Sequence, residues 1–122
     1  MKSALAFTAL ALCLSSAAAA QSAGDWVLSQ WQGSSQFYPG VVQSRSGNML
    51  RVRYDDGSVA DVRVDAVQPY NWRVGSLVEC QWTDGEWYGA RITSMASDGL
   101  SIGVRYEDGV NQKTNTGKCR SR

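Results

Sequence analysis

The stretch "GDWVLSQWQGSSQFYPGVV", Gly24–Val42, runs parallel to "GSLVECQWTDGEWYGARI", Gly75–Ile92. Gly24 falls on Gly75, Val27 on Val78, Gln30-Trp31 on Gln81-Trp82, and Phe37-Tyr38 on Trp87-Tyr88. Further along, "LRVRYDDG" (Leu50–Gly57) matches "SIGVRYEDG" (Ser101–Gly109), with Val52-Arg53-Tyr54 on Val104-Arg105-Tyr106. The offset stays between 50 and 52 residues throughout. One module is therefore written twice, and the fold is that of the module.

Each copy reads as short strands broken by turns. Val27-Ser29-Trp31 and Val78-Cys80-Trp82 alternate with their neighbours, as do Leu50-Val52-Tyr54 and Ile102-Val104-Tyr106, whereas Arg51 and Arg53 fall on the opposite face. Asp56-Gly57 and Asp108-Gly109 are hairpin signals, read as tight type I′ turns in which glycine supplies positive φ. Ser46-Gly47-Asn48, Asp84-Gly85 and Asp98-Gly99 mark further turns, and Val62–Pro69 reads as a last strand closing the first copy and then a short turn. With no sustained helical period after the N-terminal leader, the chain is all-β, with four to five strands per copy bent into a small barrel. The join Tyr70-Asn71-Trp72-Arg73 has no Gly/Ser spacer, so the two barrels are expected to pack on each other.

Residues 1–20 are expected to be a secretory signal peptide: Lys2, an apolar run Ala4–Leu14, then Ala18-Ala19-Ala20. The run is too short to span a bilayer. Cys13 invites a lipoprotein reading, but Leu12 stands where a small residue belongs. The domains expected are thus 1–20 leader, 21–70 first barrel and 71–122 second barrel, in a protein that is secreted or periplasmic. From Gln21 onward nine Arg and two Lys face eight Asp and three Glu, a neutral balance that gives no electrostatic reason to bind nucleic acid. Arg51, Arg53 and Arg63 are read as a solvated strand face.

Two cysteines follow the leader, Cys80 and Cys119. In an exported chain they imply one disulfide. Two thiols and no histidine make a poor zinc site and leave a cysteine nucleophile without a base, so no metal, cofactor or catalytic residue is expected. The tail "VNQKTNTGKCRSR" is polar where its counterpart carries Val59, Val62, Val64 and Val67. A Cys80–Cys119 bond would pin that weak edge.

The motifs "QWQGSSQFYPGVV" with "VRYDDG", and "QWTDGEWYGARI" with "VRYEDG", resemble the Tudor and Agenet group of SH3-like barrels, in two tandem copies covering nearly everything after the leader. The resemblance implies open aromatic cages that hold a methylated lysine or arginine. Carried over by position, the first consists of Trp31, Tyr38 and Tyr54 and the second of Trp82, Tyr88 and Tyr106, each completed by a carboxylate or amide from Asp56, Asp108 or Asn111. A further cage aromatic is missing beside Gly57 and Gly109. Rings attract a cation whose ammonium protons have been replaced by methyl groups. In a barrel this small the same aromatics also serve as core, and at this level the two uses stand open. Phe37, Trp87, Trp26 and Trp72 are read as core, and Asp84 and Glu86 as turn residues beside the second cage.

Two functions remain. The first is a non-enzymatic binding module for a cationic or peptide-like ligand, including methylated Lys/Arg or a quaternary ammonium. The second is a structural or adaptor protein of the cell envelope, with a cell-wall component as a variant partner. An enzyme ranks last, since the carboxylates sit mostly in Asp-Gly turns.

Overall fold

The computed structural model describes residues 21–122, so the leader expected over residues 1–20 lies outside it. The first repeat forms β1 (Trp26–Gln30), β2 (Phe37–Ser46), β3 (Met49–Tyr54), β4 (Val59–Arg63) and β5 (Val67–Pro69). The second forms β6 (Leu77–Gln81), β7 (Trp87–Met95), β8 (Ser101–Tyr106), β9 (Asn111–Asn115) and β10 (Cys119–Arg120). Their orders, β4-β3-β2-β1-β5 and β10-β6-β7-β8-β9, are the same topology repeated. Every pairing is antiparallel. The long strands β2 and β7 break register at equivalent places, Val42/Ser44 and Ile92/Ser94. Such bulges bend a strand, which lets a five-stranded sheet curl into a small barrel.

Period-two burial holds where it is clearest in sequence. Leu50, Val52 and Tyr54 are buried on β3 and Ile102, Val104 and Tyr106 on β8, while Met49, Arg51 and Arg53 face out. On β1 the alternation fails, because Val27, Leu28 and Ser29 are all fully buried. Val27 belongs to the first core with Val42, Leu50, Val52 and Val67, whereas Leu28 packs into the second with Trp72, Val78, Ile92 and Val104. The barrels are thus joined through apolar contact.

Other contacts cross the join. Phe37 and Ser121 exchange two backbone hydrogen bonds, each 2.8 Å, and the Trp72 indole donates to Ser121 Oγ at 2.6 Å. Thr116 Oγ1 donates to Asp55 Oδ2 at 2.6 Å. Gly117 approaches so closely that a Cβ there would lie 2.8 Å from the Asp55 backbone.

Three local expectations are corrected. Val62–Pro69 is not a strand followed by a turn: a 3-10 turn at Val64–Ala66 lies within it and separates β4 from β5, because the chain must leave the edge beside β3 and return beside β1. The Asp56-Gly57 and Asp108-Gly109 hairpins are not type I′, since Gly57 (φ 94°) and Gly109 (φ 91°) have positive φ but their aspartates do not. Each is a three-residue loop in which the glycine N–H donates to the tyrosine carbonyl three residues back. Trp26, read as core, is 49% exposed; it packs edge-on against Tyr70 and its ring covers Gly99.

The disulfide Cys80–Cys119 is present, in register between β6 and β10. The matching pair in the first barrel is Ser29 and Val67. One repeat holds its last strand through Val67, buried in the first core, and the other through a covalent bond.

Candidate functional site

The hairpin that follows β3 or β8 and the loop that follows β1 or β6 meet at one mouth of each barrel. That geometry brings the sequence-predicted aromatics together. In the second barrel Trp82, Asp84, Tyr88, Gly89, Tyr106, Glu107, Asp108 and Val110 line an open cleft of about 490 Å³. In the first, Trp31, Tyr38, Pro39, Tyr54, Asp56, Ser58 and Gly117 line one of about 340 Å³. Both volumes fall in the range of small-ligand sites.

The second cleft is built at right angles. Tyr106 ends β8 and forms the floor at 7% exposure, its hydroxyl donating to Gln112 Oε1. Trp82, partly buried, meets it edge-on at 5.5 Å and 85°. Tyr88, 44% exposed, meets the same ring edge-on at 6.4 Å and 88°. Tyr88 is held upright by Asp84, whose Oδ2 accepts its hydroxyl proton at 2.6 Å. The Tyr88 hydroxyl, followed by the Glu86 backbone N–H, holds the Asp84 carboxyl below the usual range, and the same bond raises Tyr88. Burial, and then the Asp84 charge, push Tyr106 up. The cleft therefore combines three π surfaces with an ionised carboxylate, and Glu107 and Asp108 add two more acidic side chains.

The first cleft repeats the parts in another arrangement. Tyr54 is the floor at 2% exposure, its hydroxyl 3.0 Å from Ser29 Oγ, and burial raises it. Trp31 meets it at 5.2 Å and 75°. Tyr38, the counterpart of Tyr88, makes its ring contact with Trp87 of the second barrel at 6.1 Å and 80°. Its hydroxyl accepts from Arg120 Nη1 at 3.0 Å. Asp56 lies at this cleft with Oδ1 engaged by Ser58. Asp55, the counterpart of Glu107, is turned to Thr116 instead, and burial raises its carboxyl.

Of the residues expected from sequence, Trp31, Tyr38, Tyr54 and Asp56 meet at one cleft, and Trp82, Tyr88, Tyr106 and Asp108 at the other. Asn111 lies outside: it begins β9, paired with Arg105, and faces solvent. Phe37 packs on the second core, and Trp87 receives Arg120 over its face at 4.1 Å. The sequence reading missed Glu107, legible from its place beside Asp108, and Gly117, which reaches the first cleft from the second barrel and carries no local signal. Among the described residues no group of three or more His, Cys, Asp or Glu is placed to hold a metal ion.

Two five-stranded barrels in tandem, each with an aromatic-floored mouth, define a pair of SH3-like barrels. Residues 23–69 match the family described as the Crb2 DNA-repair-protein Tudor domain. The chain is similar in fold to the Crb2 tandem Tudor domains, at 11% identity and TM-score 0.55, over 83% of this chain and 79% of that one. The Agenet pair AGD34 of Arabidopsis thaliana AGDP1 aligns at 14% identity and TM-score 0.44, over 88% of this chain and 86% of that one. Lysine-specific demethylase 4B of Mus musculus is 36% identical over 76 residues, covering 57% of this chain. That alignment spans 7% of the demethylase's length. The Tudor match thus falls on the first repeat, and the chain as a whole has the fold of a tandem Tudor pair.

Proposed function

We propose that this chain is an exported binding module whose second barrel takes up a methylated lysine, or a chemically similar methylated cation, presented on a peptide. Tudor domains are binding modules for methylated peptides, not an enzyme family. The observation that carries the reading is the right-angled arrangement of Trp82 and Tyr88 about Tyr106, with Asp84 ionised beside them. A methyl-ammonium has lost hydrogen-bond donors and spread its charge over apolar groups. Ring faces therefore suit it better than water-exposed carboxylates alone, and desolvated cation–π contacts are worth about 0.5–2 kcal/mol each. Remaining N–H protons have Asp84, Glu107 and Asp108 to meet them.

The adaptor reading, in which the aromatics are only core, fits Tyr54 and Tyr106, both buried with bonded hydroxyls. It does not explain an exposed Tyr88 braced upright by a carboxylate. Export rests on the leader pattern of residues 1–20 and belongs to the proposal.

The test is calorimetric titration of the chain with peptides carrying unmodified, mono-, di- and trimethylated lysine, and with choline and soluble cell-wall fragments for comparison. Saturable binding that needs methylation and is lost in Trp82→Ala supports the reading. Binding of cell-wall fragments alone, or of none of the panel, overturns it in favour of the envelope adaptor.

A further inference from the structure

Arg120 lies in the short strand β10 of the second barrel, yet its guanidinium reaches the first. Nη1 donates to the Tyr38 hydroxyl at 3.0 Å, and the guanidinium carbon sits 4.1 Å above the Trp87 ring and 6.0 Å from the Tyr38 ring centre. On its other side Nε meets Glu79 Oε1 at 3.0 Å, with the two side chains only 18% and 16% exposed. A planar fork can stack on one ring, bond a second and pair with a carboxylate at once, which an ammonium cannot do in a single orientation. The strand that carries it is fixed by neighbours on both sides: Cys119 is bonded to Cys80, and Ser121 is bridged to Phe37 and bonded by Trp72.

We propose that Arg120 is a positioning residue for the aromatic cleft of the first barrel, holding Tyr38 in place as its wall, so that this cleft is assembled by both barrels together. The inference deepens the binding reading given above and rests on it for the meaning of the cleft. Two independent features agree. Gly117, from the turn just before β10, lines the same cleft directly. Tyr38 packs on the core of its own barrel but takes its aromatic partner, Trp87, and its hydroxyl bond from the second, whereas its counterpart Tyr88 is braced within its own barrel by Asp84. The first cleft thus depends on a C-terminal strap, and the second does not.

The experiment uses the chain with Arg120→Met, which keeps bulk without charge, and Arg120→Lys, with Arg122→Ala as the control. Arg122 pairs with the other oxygen of Glu79 at 2.8 Å and is 71% exposed. Two readouts are followed by NMR: the Tyr38 ring signals in the ligand-free chain, and titration of the Trp31 and Trp82 indoles with trimethyl-lysine. Arg120→Met is expected to move the Tyr38 signals and to weaken the Trp31 response about tenfold, the loss of one cation-facing wall. The Trp82 affinity should stay within about twofold, by the additivity of separate sites. Arg120→Lys should recover only part of the loss, and Arg122→Ala should change neither readout.

Unmoved Tyr38 ring signals in Arg120→Met, or an unchanged Trp31 affinity, would overturn the proposal. If trimethyl-lysine shifts no indole in the unsubstituted chain, the cage reading fails and the ligand-free ring signals alone decide the positioning role. If Arg120→Met does not fold, Arg120→Lys carries the same two readouts, and full retention of both would overturn the proposal.

Discussion

Removing the Cys80–Cys119 bond should destabilise the second barrel by about 4 kcal/mol. The cysteines are 39 residues apart, and closing a loop of that length removes roughly 13 cal/mol/K from the unfolded chain, or about 4 kcal/mol at 25 °C. The native side offers little in compensation. β9 reads Asn-Gln-Lys-Thr-Asn and β10 pairs through only two residues, where the first barrel has Val62 and Val67 in its core. For a domain of this size about 1 kcal/mol moves Tm by about 4–8 °C, so reduction should lower it by about 15–30 °C. Both cysteines are fully buried, so the bond must be reduced in denaturant and the chain refolded with reductant before the melt. The paired substitution Cys80→Ser with Cys119→Val installs the first barrel's own Ser29 and Val67 at the matching register and should recover part of the loss. A reduced chain melting within about 5 °C of the oxidised one would refute the reasoning, because the polar edge would then be held by something other than the bond.

Three further outcomes follow from the geometry. Trp82→Ala should abolish binding at the second cleft with a near-normal melt, since Trp82 is a partly buried wall, whereas Tyr106→Ala should cost about 3–5 kcal/mol because it empties a buried floor; urea unfolding separates the two. Gly117→Ala should cost about 1–3 kcal/mol and disturb signals around Asp55, because its Cβ would meet backbone at 2.8 Å that no rotamer can move away. Asp55 has its carboxyl raised in the folded state, chiefly by burial, so the folded chain binds this proton more tightly than the unfolded one. Its contribution to stability is therefore greatest at acid pH and falls as pH rises through the folded pKa, which linkage requires. Asp55→Asn, which keeps an acceptor for Thr116, should stabilise the chain at neutral pH, with the gain vanishing below the normal carboxylate range; thermal melts across pH check it.

The repeat was legible because equivalent strands use equivalent residues. Val52 and Val104 are fully buried at matching positions, and Tyr54 and Tyr106 close the same hairpin. The aromatics of both clefts were legible for the same reason, since each sits at a strand end that the topology brings to one mouth. What the sequence hid lies between the barrels. Leu28 breaks the alternation of β1 because a second core covers its other face, a fact absent from any local window. Trp26 looks like core by composition but lies across Gly99 with half its surface in water. Asp55 and Glu107 are equivalent by alignment, yet Thr116 draws one away while the other lines its cleft. Arg120 gave no signal at all, because its partners Tyr38 and Glu79 are 82 and 41 residues away. Repeats reveal what two modules share; the asymmetry of their contact must be read from the fold.

The central claim is that the mouth of the second barrel holds a methylated cation against its rings. Its most direct test is isotope-filtered NMR of the chain saturated with a trimethyl-lysine peptide, measuring intermolecular contacts from the ligand methyls. The account predicts methyl contacts to Trp82, Tyr88 and Tyr106 together. Methyl contacts elsewhere on the chain, with those three rings silent, would contradict it.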